Sequence, residues 1–279
     1  MGERKELELP AELSQQKLFA AIEDRISRRK YHDKPLEKEE ISALKDDISP
    51  LEAELALSRV IFRQEGFDRA VKTILGSYGL VTGAASFATI TADEKTDKFR
   101  ANVEAGILGE ALILAATARG WNTCWVGGML EKGEIREQLN LEPAEKVAAI
   151  TPLGEARDKL TLTEKLTKKV AGSRSRKPLE ELVENYRPEE YSSWVKTALK
   201  AARLAPSAAN KQPWRFRVDP AAEKITLASS RQKDNHGVSP YLDCGIALLH
   251  LLLGAGQEIN QPTFRLLDPP AVAEVYYGG

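Results

Sequence analysis

Ala205-Pro206-Ser207-Ala208-Ala209-Asn210-Lys211-Gln212-Pro213-Trp214 is the stretch on which the reading of this chain turns. A helical run, Trp194 to Leu204, precedes it, and a strand-like run, Trp214 to Val218, follows. Pro206 ends the helix, because proline disfavours helical geometry in the residue before it. Ser207, Asn210 and Gln212 then place a hydroxyl and two amides between two regular elements. Each can donate and accept, so the loop can read the polar edge of a flat ring. Pro213 fixes the exit and Trp214 anchors it. The plainest reading is a helix-loop-strand connection with an ST-turn. Residue types alone leave both readings open.

The chain around this loop has 279 residues, room for one large or two ordinary domains. Its 42% apolar and 29% charged content is that of a globular protein. A net charge of −1 excludes a general electrostatic attraction to nucleic acid or anionic lipid. No apolar run approaches the roughly 20 residues that span a bilayer, the longest candidate being Gly245 to Gly256. The charged start, MGERKELELP, has no apolar centre and reads as no secretory signal. Cys124 and Cys244 lie far apart, so neither a disulfide nor a zinc site is expected, and a reducing cytoplasm is the default.

Along the chain, residues 1 to 12 read as a loose lead-in. Gln16 to Ile26 is an amphipathic helix with Leu18, Phe19, Ile22 and Ile26 at helical spacing. It runs into Arg25-Ile26-Ser27-Arg28-Arg29-Lys30-Tyr31, which is either a solvated helix end or an anion site built for charge-assisted bonds. Further helices are expected over Glu37–Leu44, Arg69–Leu75, Glu134–Leu139 and Pro178–Tyr186. Strands are expected over Leu55–Phe62, Ala85–Thr91 and Val147–Leu153. Phe99 to Arg119 is apolar on nearly all faces and reads as a core helix. Gly106 and Gly109 would allow close backbone approach there, and Gly120 would end it. Trp121 to Gly128 then offers Gly127 and Gly128, where a ligand ring could approach main-chain N–H groups. A plain turn is the commoner use of that pair.

After Tyr186 the pattern begins again. A hairpin is expected from Trp214–Val218 and Lys224–Ser229, then a helix over Tyr241–Gln257 and a last strand at Phe264–Leu267. The helix Tyr241–Gln257 repeats the character of Phe99–Arg119, and Trp194–Leu204 that of Gln16–Ile26. The last third therefore reads as a shortened copy of the first part. His250, on an apolar helix, reads as a satisfied core residue, and Cys124 as core packing with a place near a bound ring left open.

Four of these pieces together resemble the FMN-dependent nitroreductase family. They are Arg25-x-Ser27-x-Arg29-Lys30-Tyr31, the core helix running into Trp121–Gly128, Arg174-Ser175-Arg176-Lys177-Pro178, and Pro206-Ser207-x-x-Asn210-x-Gln212-Pro213-Trp214. The resemblance implies an α+β fold with antiparallel-rich sheets flanked by helices. It implies FMN as cofactor, NAD(P)H as hydride donor and a small electrophilic acceptor such as a nitroaromatic or quinone. It gives the phosphate to Arg25, Arg174 and Arg176, with Ser27 beside them, and the reduced ring's charge to Arg29. It gives flavin N5 to Gly127 or Gly128 and the ring edge to Pro206, Ser207 and Asn210. Ordinary members are dimers in which the Pro-Ser-x-x-Asn loop comes from the partner. Here that loop follows the other three motifs in one chain. This order implies a built-in pseudo-dimer with an internal pseudo-two-fold, lobes at 13–185 and 186–279, one flavin cleft, and a monomer or weak homo-oligomer. A lysine common in the family is missing from Ser77–Gly83. That leaves open a flavin-binding protein for storage or redox sensing that has lost turnover, and an interaction domain with no flavin remains a further alternative.

Overall fold

The structure is a computed structural model that describes residues 6–9, 14–64, 81–128, 130, 132–157, 175–235 and 237–277. The helix expected over Arg69–Leu75, most of the Ser77–Gly83 stretch, Arg174 and His236 lie outside the described residues. In chain order the elements are β1 (Glu6–Glu8), α1 (Gln15–Asp24), α2 (Lys38–Glu54), β2 (Ser58–Arg63), β3 (Ser86–Asp93), α3 (Lys98–Ala118), α4 (Lys132–Leu139) and β4 (Glu145–Leu153). Then come α5 (Leu179–Leu182), α6 (Ser193–Arg203), β5 (Trp214–Asp219), β6 (Lys224–Ser229), α7 (Pro240–Ala255), β7 (Pro262–Leu266) and β8 (Ala271–Tyr277). The strands form two antiparallel sheets, ordered β2-β3-β4 and β1-β7-β8-β6-β5. Helices packed on sheets with this pairing make an α+β fold.

The core centres on α3 and α7. Both are apolar over most of their surface, so neither offers a continuous polar side to solvent and both lie largely inside. Asp97 opens α3 by accepting the Arg100 N–H at 2.9 Å, and Gly120, at φ +83°, ends it. Ser239 accepts the Tyr241 N–H to open α7, with Pro240 in its first turn. The two helices meet at Gly106 and Gly245. A Cβ on Gly106 would lie 2.1 Å from the Leu242 carbonyl oxygen, and a Cβ on Gly245 2.1 Å from that of Val103. Each carbonyl lies one turn before the opposite glycine, so the contact is reciprocal, as in an isologous interface. Gly109 does something else. Its missing Cβ makes room for the Trp125 indole, whose Cη2 would be 2.3 Å away.

The order α2-β2-β3-α3 recurs as α6-β5-β6-α7, with β2-β3-β4 echoed by β5-β6-β8. This order matches α6 with α2, where the sequence suggested α1. Other expectations also change. The lead-in contains β1, which pairs with β7 and extends the later sheet. Helix α2 continues through Pro50 to Glu54, held at its start by a capping box between Glu37 and Glu40. Helix α5 is short, because Val183 leaves it to bridge Phe216 on β5. Strand β8 follows the expected last strand and sits between β7 and β6. Helix α3 is, by length and composition, long and apolar enough to cross a membrane, with mean hydropathy 1.3, yet 89% of that window is buried inside the protein.

Candidate functional site

The loop after α6 holds a costly backbone. Ala209, Asn210 and Gln212 all have φ near +50°, in the left-handed region that side chains disfavour by about 1–2 kcal/mol each. Local bonds offset this. Gln212 N–H donates to Ser207 Oγ at 2.8 Å, and Asn210 N–H donates to Ser207 O at 2.9 Å. Ala208 N–H donates to Asp243 Oδ1 at 2.9 Å. Trp214, fully buried, anchors the exit, and Pro206 is half-buried at the entry. Asp243, in the first turn of α7, is itself buried. Loss of water pushes its carboxyl up to about 7, against the Ala208 N–H bond and the Arg231 charge, which pull it down.

The segment before α5 is bolted to this loop. Lys177 N–H donates to Gln212 Oε1 at 2.8 Å, and Arg203 Nε to Lys177 O at 2.8 Å. Asn210 Nδ2 donates to Ser175 O at 3.0 Å, and Arg176 Nη1 to Asn210 Oδ1 at 3.3 Å. Arg176 also gives Nε and Nη2 to Leu204 O at 3.2 and 3.1 Å. Both ends of the Asn210 amide thus have protein partners. The amide thereby ties Ser175 and Arg176 to the loop. Gln212 is the buried hub of the loop.

The early basic motif runs extended rather than as a solvated helix end. Ser27 bridges Thr123, and Lys30 bridges Thr82, so Arg25 to Tyr31 lies between two other segments. Arg29 O accepts the Thr82 N–H at 2.8 Å. The Arg25 side chain is only 9% exposed, its Nη1 3.4 Å from Ser27 Oγ and its Nε 3.7 Å from Glu110 Oε1. That Nε is buried with no hydrogen-bond partner among the described residues. The arrangement also reaches Cys124. Burial raises its thiol, while the charges of Arg29 and Arg25 and a bond to Ser27 oppose the rise.

The early basic motif and the later segment come into electrostatic contact at Arg176. Its guanidinium is held down to about 10, first by burial, then by the Arg25 charge, with Glu110 opposing and Arg203 adding. Arg176 thus feels Arg25 as a like charge and Glu110 as the carboxylate that offsets it, and Glu110 lies 3.7 Å from the Arg25 Nε. An orphaned Nε on a buried guanidinium, with a second, half-buried guanidinium near enough to repel it, is what a phosphate would satisfy, so the residues present fit the phosphate end of FMN. Arg174 lies outside the described residues.

The Trp121–Gly128 segment comes alongside. Val126 pairs with Ile150 on β4, and the Trp125 indole N–H donates to Glu110 Oε2 at 2.7 Å. Gly127 is half-buried, and a Cβ there would lie 2.9 Å from Val238 Cγ2. The later part of the chain thus fills the side that a side chain would take, so close packing is one reason for glycine at 127. Gly128, next to it, is also half-buried. The sequence missed Asp243 and Glu110. Its one available signal was an acid inside an otherwise apolar helix.

A family model described as "Putative TM nitroreductase" matches residues 17–255. The crystal structure of a "putative nitroreductase" from Thermotoga maritima aligns over 94% of each chain, with a TM-score of 0.59 at 23% identity. Nitroreductase A from Vibrio parahaemolyticus aligns over 61% of this chain and 77% of its own, with a TM-score of 0.48 at 18% identity. A nitroreductase family protein from Clostridium difficile 630 aligns over 61% and 98%, at 0.45 and 22%. No curated protein matches the sequence. With a family model spanning most of its length and a shared fold over nearly all of it, the chain belongs to this nitroreductase family and so to the oxidoreductases.

Proposed function

We propose that this chain is an FMN-dependent oxidoreductase that passes hydride from NAD(P)H through FMN to a small electrophilic acceptor, a nitroaromatic or a quinone. The observation that carries the reading is the Arg25 side chain of the early segment, buried with an Nε that has no hydrogen-bond partner among the described residues, beside a half-buried Arg176 from the later segment that feels its charge. We also take the chain to be a pseudo-dimer with lobes at 13–185 and 186–279, acting in the cytoplasm as a monomer or weak oligomer. The reciprocal Gly106–Gly245 contact and the repeated element order support that layout.

Bound FMN supplies the hydride chemistry. The chain supplies position and charge. Arg25 and Arg176 hold the phosphate, with Arg174 joining them by family resemblance. Ser27 steadies Arg25. Asn210 and Gln212 keep Arg176 and its segment in place. Arg29 places a cation near the ring, where it stabilises the negative charge of the reduced form. Gly127 and Gly128 carry the main-chain N–H groups assigned to N5.

An absorbance spectrum of the purified protein, followed by anaerobic titration with NADH and NADPH, tests the reading. A yellow protein that either nucleotide bleaches, and that a quinone or nitroaromatic then re-oxidises, is the expected result. A colourless protein that takes up no FMN on reconstitution, or a yellow one that neither nucleotide reduces, would overturn it. Arg29→Ala should lower the flavin reduction potential and weaken FMN binding by about tenfold, on the scale of one charge-assisted contact. If potential and affinity both stay unchanged, Arg29 has no such role.

A further inference from the structure

Glu110 and His250 are both fully buried where α3 packs on α7. His250 Nδ1 lies 3.1 Å from the Ala201 carbonyl oxygen of α6, and Nε2 lies 2.9 Å from Glu110 Oε1. A carbonyl oxygen only accepts, so Nδ1 carries a proton. Nε2 then faces a carboxyl oxygen, and a second proton must lie between those two atoms. A neutral ring against an ionised carboxylate would set lone pair against lone pair in a dry core. The pair therefore holds one proton more than a neutral imidazole beside a free carboxylate. It makes no difference to this count which atom holds it.

The charged and polar groups that face the pair come from several elements. Arg25, at the end of α1, has its Nε 3.7 Å from Glu110. Arg176, before α5, feels the Glu110 charge, with Arg203 of α6 beyond it. The Trp125 indole donates to the other carboxyl oxygen. With its extra proton the pair is neutral overall and offsets none of the positive charge of Arg25 and Arg176. Without that proton the pair carries one negative charge, and an unshielded carboxylate draws on Arg25.

We propose that Glu110 and His250 form a proton-retaining pair that positions Arg25 and Trp125 and keeps the carboxylate from offsetting the guanidinium charge available to a phosphate dianion. This rests on the FMN reading given above. His250 is in this role a positioning residue acting through Glu110.

The test uses three variants of the full chain: H250Q, E110Q and the double variant. H250Q removes the retained proton but leaves the carboxylate, so FMN should bind about tenfold more weakly, on the scale of one close charge pair. Riboflavin, which lacks the phosphate, should bind as before. E110Q makes the same net charge as the natural protein, and so does the double variant. Adding E110Q to H250Q should therefore restore FMN affinity to within about threefold. Additive loss in the double variant would mark a merely structural role and overturn the proposal. A second readout needs no flavin. The nitrogen spectrum of the imidazoles at pH 7.5 should show either both His250 nitrogens protonated or Nε2 accepting a strong hydrogen bond from a protonated carboxyl, whose proton resonates far downfield. H250Q assigns the signal or, should that variant not fold, H32Q with H236Q. In E110Q the signal should become that of an ordinary Nδ1–H tautomer. An ordinary neutral ring in the natural protein, with no shared proton, overturns the proposal. If FMN binds to none of these proteins the functional reading fails, and the imidazole spectrum alone decides the pair.

Discussion

Gly245→Ala and Gly106→Ala should each cost about 3 kcal/mol of stability or more. The reason is that neither methyl has anywhere to go. Each would start 2.1 Å from a main-chain carbonyl oxygen of the opposite helix, and a backbone oxygen cannot rotate away as a side chain can. The helices must separate, and the leucines packed around the crossing lose contact with them. Overpacking of this kind costs about 1–3 kcal/mol in ordinary cores and more where backbone must move. Alanine's better helix propensity returns only about 0.5–1 kcal/mol. The melting temperature should fall by roughly 6–12 °C, given about 2–4 °C per kcal/mol for a chain of this size. Gly133→Ala is the control. A Cβ there meets nothing within 4 Å, so stability should hold or rise slightly. If G245A melts within a degree or two of the natural protein, the close crossing of α3 and α7 is not as described.

The second large effect concerns Asp243. Burial raises its carboxyl from 3.8 to about 7. An acid raised on folding binds its proton more tightly in the native state. Its contribution is complete below pH 3.8 and is lost as pH climbs through about 7. Across that window stability should decline by up to about 1.4 kcal/mol per pH unit on this account. Asp243→Asn keeps an oxygen for the Ala208 N–H and removes the titration. At pH 8 the variant should be more stable than the natural protein by on the order of 2–4 kcal/mol. Near pH 4 the two should agree. Other buried carboxyls shift the opposite way, as Glu145 does beside Arg59, so the comparison is the difference between the two proteins at each pH, measured by denaturant unfolding. A constant difference from pH 4 to 8 would show that Asp243 does not change protonation there.

The two cases mark what was hidden from the chain read as letters. Gly106 could be marked as a close-approach glycine from its place in an apolar helix. Its partner could not, because Leu242 and Gly245 lie far along the sequence and nothing local pairs them. Asp243 sits in a helix that is otherwise apolar, and only the fold brings the Ala208 N–H to it. The same holds for Glu110, whose partners Arg25, Trp125 and His250 arrive from three other parts of the chain. Asn210 was legible as a polar loop residue with a purpose. Its partners were not, since Ser175 and Arg176 lie outside the local window.

The sequence by itself determined the nature and order of most elements, through apolar spacing, capping residues and turn prolines. It also determined the cationic and amide-bearing motifs from which the family could be recognised. Only the tertiary structure decided that Arg25 and His250 both reach Glu110 and that Arg176 feels the charges of Arg25 and Glu110. It likewise decided that β1 joins the later sheet and β8 takes its interior. The physical reason is one of range. Local propensity acts over a turn or a strand, whereas charge coupling, close helix crossing and strand pairing join residues whose separation along the chain carries no signal.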